Sequence, residues 1–526
     1  MTNTNEHTEH AIMRTSRRTF LRACGIIGAA TVAARAFGQP NPTTQRTFHF
    51  STSCGALEAD PEVLESVAHA GVTDLWLTGS WSGQWIDPPT RIQQWSEQIG
   101  KRGLAAHVIN VPLGHPGTGS PNWSPCVRPD GSTHTGTSLH APATEENCKA
   151  LQQIQEIGID RVFLDDDFRL ASGPGVIGGC FCPIHKQEFL QRTGFGDAQW
   201  SELFDAVKQR RLTSTLRAWV EYTCDQLTAC FQSQQRAAPH VQLGIMVMYL
   251  GAEKAGIRLA DYQNRPLRVG ELMFDDGSFT PVKGKTNELF SSLFHRRFVT
   301  PELAYSETTA YPARHLSLTN KIAKLAVSTI SDVRNTMFMC DFPKDHWSSL
   351  APAIQHHAKL HPVIAGHVPR GPFKHFWGEA SRYVDDDNPY SLYLALGIPF
   401  EVTSELAVDG FTFLSDADAR TADSMQATGT TLVGRPQSGL SHMVRAIPES
   451  LPELFTWKRE LLPQLDKTPY VDGETPVVCA WYPTARAVLL WNLSEQRQDL
   501  TLRYGDKHRP VSVNGLDVAL IEGIDA

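Results

Sequence analysis

Arg161-Val162-Phe163-Leu164-Asp165-Asp166-Asp167 is a short apolar run that ends abruptly on three acids. It reads as a β-strand whose last residues carry chemistry, and the chain repeats the pattern on either side of it. Seven further β-rich runs occupy residues 48–54, 72–81, 104–112, 241–250, 271–276, 302–308 and 335–342. Amphipathic stretches lie between them, over 61–70, 89–102, 145–157 and 201–237. Strands alternating with helices over roughly 300 residues predict parallel strands joined by crossover helices, and eight units predict a (β/α)₈ TIM barrel. The rival is an open doubly wound sheet. It lacks support because no glycine-rich nucleotide fingerprint follows the first strand, and no organic cofactor is expected.

Beyond the barrel, assigned to residues 45–345, the texture changes twice. Residues 351–445 read as a small α/β domain: a helix over 390–396 ends at Gly397-Ile398-Pro399, and Phe411-Thr412-Phe413-Leu414 forms a strand. Residues 467–526 carry short alternating strands and read as a β-sandwich. At 526 residues, with 41% hydrophobic and 20% charged side chains, the chain can bury a large core unaided. A net charge of −8 and the lack of any long Lys/Arg block argue against nucleic acid or an anionic membrane as partner.

The N-terminus has the order of a twin-arginine export signal. Ser16-Arg17-Arg18-Thr19-Phe20-Leu21 precedes a small-residue apolar stretch from Ala23 to Ala34, with a cleavage region around Ala34-Arg35-Ala36. Residues 1 to about 40 are therefore expected to be removed. The apolar stretch falls short of the ~20 residues that span a bilayer, so a periplasmic or secreted protein without a membrane anchor is expected.

In a TIM barrel, catalytic groups stand at the C-terminal ends of the strands. Three acidic strand ends qualify: Asp165-Asp166-Asp167 on the fourth, Asp275-Asp276 on the sixth and Glu307 on the seventh. Glycoside hydrolysis needs one carboxylic acid to protonate the leaving oxygen and a second carboxylate as nucleophile or base. Strands four and seven face each other across a closed barrel. Asp166 or Asp167 is thus paired, as acid/base, with Glu307 as nucleophile. The plain structural alternative has Asp165 capping a turn, Asp167 pairing with Arg169 and Glu307 in solvent. Asp165, Arg169, Trp76, Trp81, His107, Asn110, Tyr249, Asp275, Asp276 and Trp347 fall in or near strand ends and are the candidates for contacting sugar hydroxyls and ring faces.

Gly179-Cys180-Phe181-Cys182-Pro183-Ile184-His185 follows the fourth strand, and Cys126 lies in the preceding long loop. Cys126, Cys180, Cys182 and His185 would make a closed four-ligand set for structural Zn²⁺. A disulfide from Cys126 to Cys180 or Cys182 is the alternative in an oxidising compartment.

Taken together, the acidic end of strand four with the Cys-x-Cys-x-x-His after it, the Cys-containing Pro-Asp-Gly loop, Glu307 and the two-part tail resemble the family-42-type β-galactosidases. The resemblance implies a retaining hydrolase acting on a carbohydrate, an α/β trimerisation domain and so a homo-oligomer, a small β domain and a cysteine zinc cluster. Two features depart from that family. It has an Asn-Glu pair where this chain has Asp165-Asp166-Asp167, and usually Cys where this chain has His185. Two other functions fit the same residues: a carbohydrate-binding barrel without turnover, and a metal-dependent hydrolase or isomerase that uses the Asp triplet as oxygen ligands.

Overall fold

The computed structural model describes residues 45–113, 122–137, 139–165, 168–270, 273–309, 312–340, 342–465 and 468–524. The twin-arginine segment, Asp166 and Asp167 lie outside the described residues. Gln45 to Ala526 form one compact unit.

Eight parallel strands close into a barrel: β1 Thr47–Thr52, β2 Asp74–Trp81, β3 Ala105–Val111, β4 Arg161–Leu164, β5 Gln242–Met248, β6 Leu267–Gly270, β7 Ala304–Glu307 and β8 Asn335–Phe338. Each pairs with the next, and β1 closes the ring by pairing with both β8 and β2. Side chains alternate across a strand. The register therefore sends one set inward: His49, Trp76, Phe163, Arg268, Tyr305 and Met337 among them. Trp76 packs on Phe163 with ring centroids 4.6 Å apart, and Phe163 on Tyr305 at 4.9 Å. The barrel is thus a filled core with a solid layer beneath its C-terminal mouth.

The sixth strand falls earlier than the sequence pattern suggests. It spans Leu267–Gly270, whereas Asp275 is the N-cap of the short helix Asp276–Phe279. The pattern misleads because Arg268 interrupts the apolar run and, against the usual rule, points into the barrel. The expected helix over 390–396 is also only a short turn, Leu392–Ala395. Pro389 before it and Gly397, at φ 67°, after it leave no room for more.

After the last barrel helix, His346–Ile364, a five-stranded parallel sheet is ordered Phe400–Thr403, Phe373–Phe376, Phe411–Leu414, Thr431–Gly434, Arg445–Ala446. Two three-stranded antiparallel sheets follow, built from strands between Tyr470 and Glu522. The barrel helix Val282–His295 is buried from Gly284 to His295 because the α/β sheet covers its outer side. Phe290 on it stacks on His375 at 3.9 Å. Among the described residues no helix is long and apolar enough to cross a membrane.

Candidate active site and thiol cluster

Glu307 is the last residue of β7, points inward by alternation and is 3% exposed. Asp165 follows β4 directly. Its amide donates to the Asn110 carbonyl at 2.7 Å, which continues the ladder of β3 and β4 by one residue. That extra step keeps the alternation alive, so Asp165 faces inward like Phe163 two residues before it. Between the two acids stands Arg268 of β6, fully buried one layer lower. Its Nη2 pairs with Asp165 Oδ1 and lies 3.7 Å from Glu307 Oε2. Arg268 thus draws the two carboxylates to the same guanidinium nitrogen. Burial alone would lower the Arg268 pKa, but Asp165 and Glu307 together raise it above the ordinary value. The sulfurs of Met246 and Met337 lie 3.0 and 3.1 Å from the guanidinium, so it is surrounded by polarizable side chains instead of water.

The remaining candidates separate by depth. Asn110 braces the mouth: its Oδ1 accepts from the Ser80 amide at 2.9 Å, and a Cβ on Gly79 would lie 2.3 Å from that oxygen. Trp81 lies half-buried at the end of β2, beyond a bulge. Tyr249 follows β5 fully buried at φ 48°, and burial pushes its phenol well above the usual value. Arg169 donates to the Ala171 carbonyl at 2.9 Å and so shapes its own loop.

Others are held in structural contacts. Trp76 is interior core, and its indole donates to His49 at 3.1 Å. His107 belongs to the barrel floor, where Nε2 meets Asp74 at 2.9 Å and Nδ1 meets Asp160 at 3.4 Å. Trp347 packs outside the barrel against Phe342, Phe50 and Phe338. Asp275 caps a helix through the Ser278 amide, 2.8 Å away. Asp276 holds the Ser317 amide and Asn320 at 2.8 and 2.7 Å. The buried Trp76, His107 and Trp347 thus have packing roles instead of the expected contact with substrate, while Asp275 and Asp276 brace the loop after β6. Arg268 is the candidate-site residue that the sequence reading misses.

The cysteine loop lies after β4. Cys126, Cys180 and Cys182 are buried together as free thiols. His185 Nδ1 is 3.4 Å from the Cys182 sulfur, and His140, unforeseen from spacing, approaches the same sulfur to 3.3 Å. Soft sulfur with imidazole, enclosed by protein, is the donor chemistry that zinc takes.

No protein-family model matches the chain, and no curated protein sequence matches it. Solved structures do. The β-galactosidase of Bacillus circulans sp. alkalophilus superimposes with a TM-score of 0.60 at 10% identity, covering 91% of this chain and 99% of that one. The β-galactosidase of Rahnella sp. R3 gives 0.58 at 11% identity, over 91% and 98%. That of Marinomonas ef1 gives 0.54 at 10%, over 90% and 99%. The chain shares their fold. The likeness extends through the barrel, the α/β sheet and the C-terminal sheets, since it spans nine-tenths of this chain.

Proposed function

We propose that this protein is a glycoside hydrolase that works by a two-carboxylate, retaining mechanism with Glu307 as nucleophile. The observation that carries the reading is the convergence of Glu307 and Asp165, from facing strands, on the one buried guanidinium of Arg268. The shared fold with three β-galactosidases supports it, and a galactoside is the first substrate to try. Arg268 sets a buried positive charge beside Glu307 and Asp165, an environment that suits a carboxylate nucleophile. The acid/base falls to Asp166 or Asp167, next to Asp165 in sequence. In the first step Glu307 attacks the anomeric carbon while the acid gives its proton to the leaving oxygen. In the second the same group, now a base, takes a proton from water, and the glycosyl–Glu307 ester is released as free sugar. A zinc ion at the thiol cluster would be structural, bracing the loop that follows β4.

Purified protein assayed against a panel of aryl glycosides and oligosaccharides tests the reading, with Glu307→Gln beside it. Hydrolysis of at least one substrate is expected, with kcat reduced about 1,000-fold or more in the variant, as befits loss of a covalent catalyst. Binding without turnover in the wild type would favour a carbohydrate-binding barrel. Chelator-sensitive turnover that survives Glu307→Gln would favour a metal-dependent enzyme.

A further inference from the structure

Two cavities open on either side of Arg210, which caps the C-terminal end of the helix Asp197–Gln209 at φ 51°. One, of about 180 Å³, lies between the hairpin that follows β3 and the loop that follows β4, and Arg128, His134, Leu170 and Ile177 line it together with Arg210. The other, of about 340 Å³, lies between that helix end and the α/β domain. Leu212, Val384 and Ala417 form its apolar wall, and Arg211 and Arg420 stand with Arg210 around it. Together the two fall within the ~300–1,000 Å³ of ordinary ligand sites.

Their charge is one-sided. Among the described residues no carboxylate lines either cavity, in a chain whose net charge is −8. Arg210 is held by main-chain carbonyls, those of Val384 and Gly175 at 2.6 Å and that of Asp385, and none of these bonds uses Nη1. Arg128 donates to the Ser132 hydroxyl at 3.3 Å and the Thr133 carbonyl at 3.0 Å, and Arg420 to the Gln437 side-chain carbonyl at 2.7 Å. All these acceptors are neutral, so the bonds position the guanidinium groups without cancelling their charge. Asp130 near Arg128 and Asp386 near Arg210 stand outside the two linings.

The smaller cavity adjoins the barrel mouth. Leu170 in its wall follows Arg169, whose Nη1 lies 3.6 Å from the Met248 sulfur. Met248 ends β5 two residues beyond Met246, the side chain that touches Arg268 inside the barrel, and alternation sends both methionines inward.

We propose that this cationic groove is a remote subsite for an anionic oligosaccharide, whose carboxylates or sulfates are held by Arg128, Arg210, Arg211 and Arg420 while the sugar chain runs on into the barrel mouth. The guanidinium fork matches such groups with paired, charge-assisted hydrogen bonds. The apolar side chains between the arginines suit the C–H faces of sugar rings. The saccharide class rests on the glycosidase reading, whereas the anionic character rests on the arginines alone.

Isothermal titration calorimetry on the full-length Glu307→Gln protein, which needs no turnover, compares tetragalacturonate, a sulfated galactotetraose and neutral galactotetraose. At least one anionic tetramer is expected to bind about tenfold or more tightly than the neutral one, the yield of one charge-assisted pair, and the tighter of the two distinguishes carboxylate from sulfate. The preference should shrink as salt is raised. Arg128→Ala and Arg211→Ala should each weaken binding of the preferred tetramer about tenfold. Arg211 is exposed and Arg128 half-buried, so neither change opens the core; should one variant fail to fold, the other still decides. Equal affinity for the neutral tetramer would overturn the proposal, as would an anionic preference untouched by both substitutions. Equally tight binding of a DNA oligonucleotide of matching charge would also overturn it, since charge would then act without recognition of sugar. Wild-type hydrolysis of neutral glycosides without any anionic preference would remove the groove and keep the glycosidase. An anionic preference in a wild type that hydrolyses nothing would keep the groove and remove the glycosidase.

Discussion

Arg268 places a buried positive charge beside the two acids it touches, and this gives it a signature separate from simple packing. Arg268→Met keeps length and apolar contact but removes the charge. A carboxylate that loses an adjacent cation becomes harder to ionise, typically by ~1–3 pH units. The acid limb of the kcat/KM profile is therefore expected to move to higher pH by that amount, with Arg268→Lys restoring part of the shift. An unmoved limb in Arg268→Met would mean that the guanidinium does not act on Glu307. At this scale the sequence was only partly legible. Glu307 was readable because it ends a clear strand. Arg268 was not, since arginine inside a strand counts as polar and breaks the very pattern used to find strands. Within the acidic triplet sequence alone could not say which side chain faces the mouth, because alternation often fails at a strand end; here the Asn110 carbonyl carries the ladder one residue further and turns Asp165 inward.

At the scale of elements, the α/β domain holds an acid in an unusual state. Asp418, in the first turn of the helix Asp416–Arg420, accepts from the Gly378 amide at 2.8 Å and from the hydroxyls of Ser381 and Ser415. Burial pushes its pKa up to about 6, and the hydrogen bonds only partly offset this. A carboxyl with a raised folded-state pKa binds more protons folded than unfolded. Its contribution to stability is full below the unfolded value near 4 and is lost as pH rises through about 6. Asp418→Asn, which stays neutral and can still accept these bonds, should stabilise the protein by about 1–3 kcal/mol at pH 8 and by little at pH 4.5. Urea unfolding at the two pH values measures it, and equal effects at both would contradict the raised pKa. The same scale shows why strands were easier to find than their limits. The helix Val282–His295 is polar at Lys285, Asn287, Glu288 and Ser291 yet buried throughout, because a second domain covers the side that would otherwise meet water. Amphipathic patterning cannot reveal a face hidden by a distant part of the chain.

Across the whole molecule, the α/β domain reaches back onto the loops that follow β4 and β5. Lys254, after β5, forms an ion pair with Asp387, and both side chains are almost wholly buried. Lys254 also donates to the Ser381 carbonyl at 3.4 Å, while Asp387 accepts the Gly175 amide at 2.9 Å. Gly175 belongs to the stretch leading into the cysteine cluster. Its φ of 68° and the approach of the Asp386 carbonyl, 2.8 Å from where a Cβ would stand, leave room for glycine alone. One buried pair thus joins two barrel loops to the second domain. A buried ion pair gives little net stability, but losing one partner strands the other charge at a cost of about 3–5 kcal/mol. Lys254→Met should therefore lower the free energy of unfolding by that amount. Adding Asp387→Asn removes the stranded charge while keeping an acceptor for Gly175, in a residue that tolerates the left-handed φ of 63° found there. The double variant should recover most of the loss in equilibrium denaturation. If Lys254→Met alone costs under about 1 kcal/mol, the pair is solvated and the domain does not clamp the loops. If the single loss is large and the second change restores nothing, the lysine acts through packing and not through its charge.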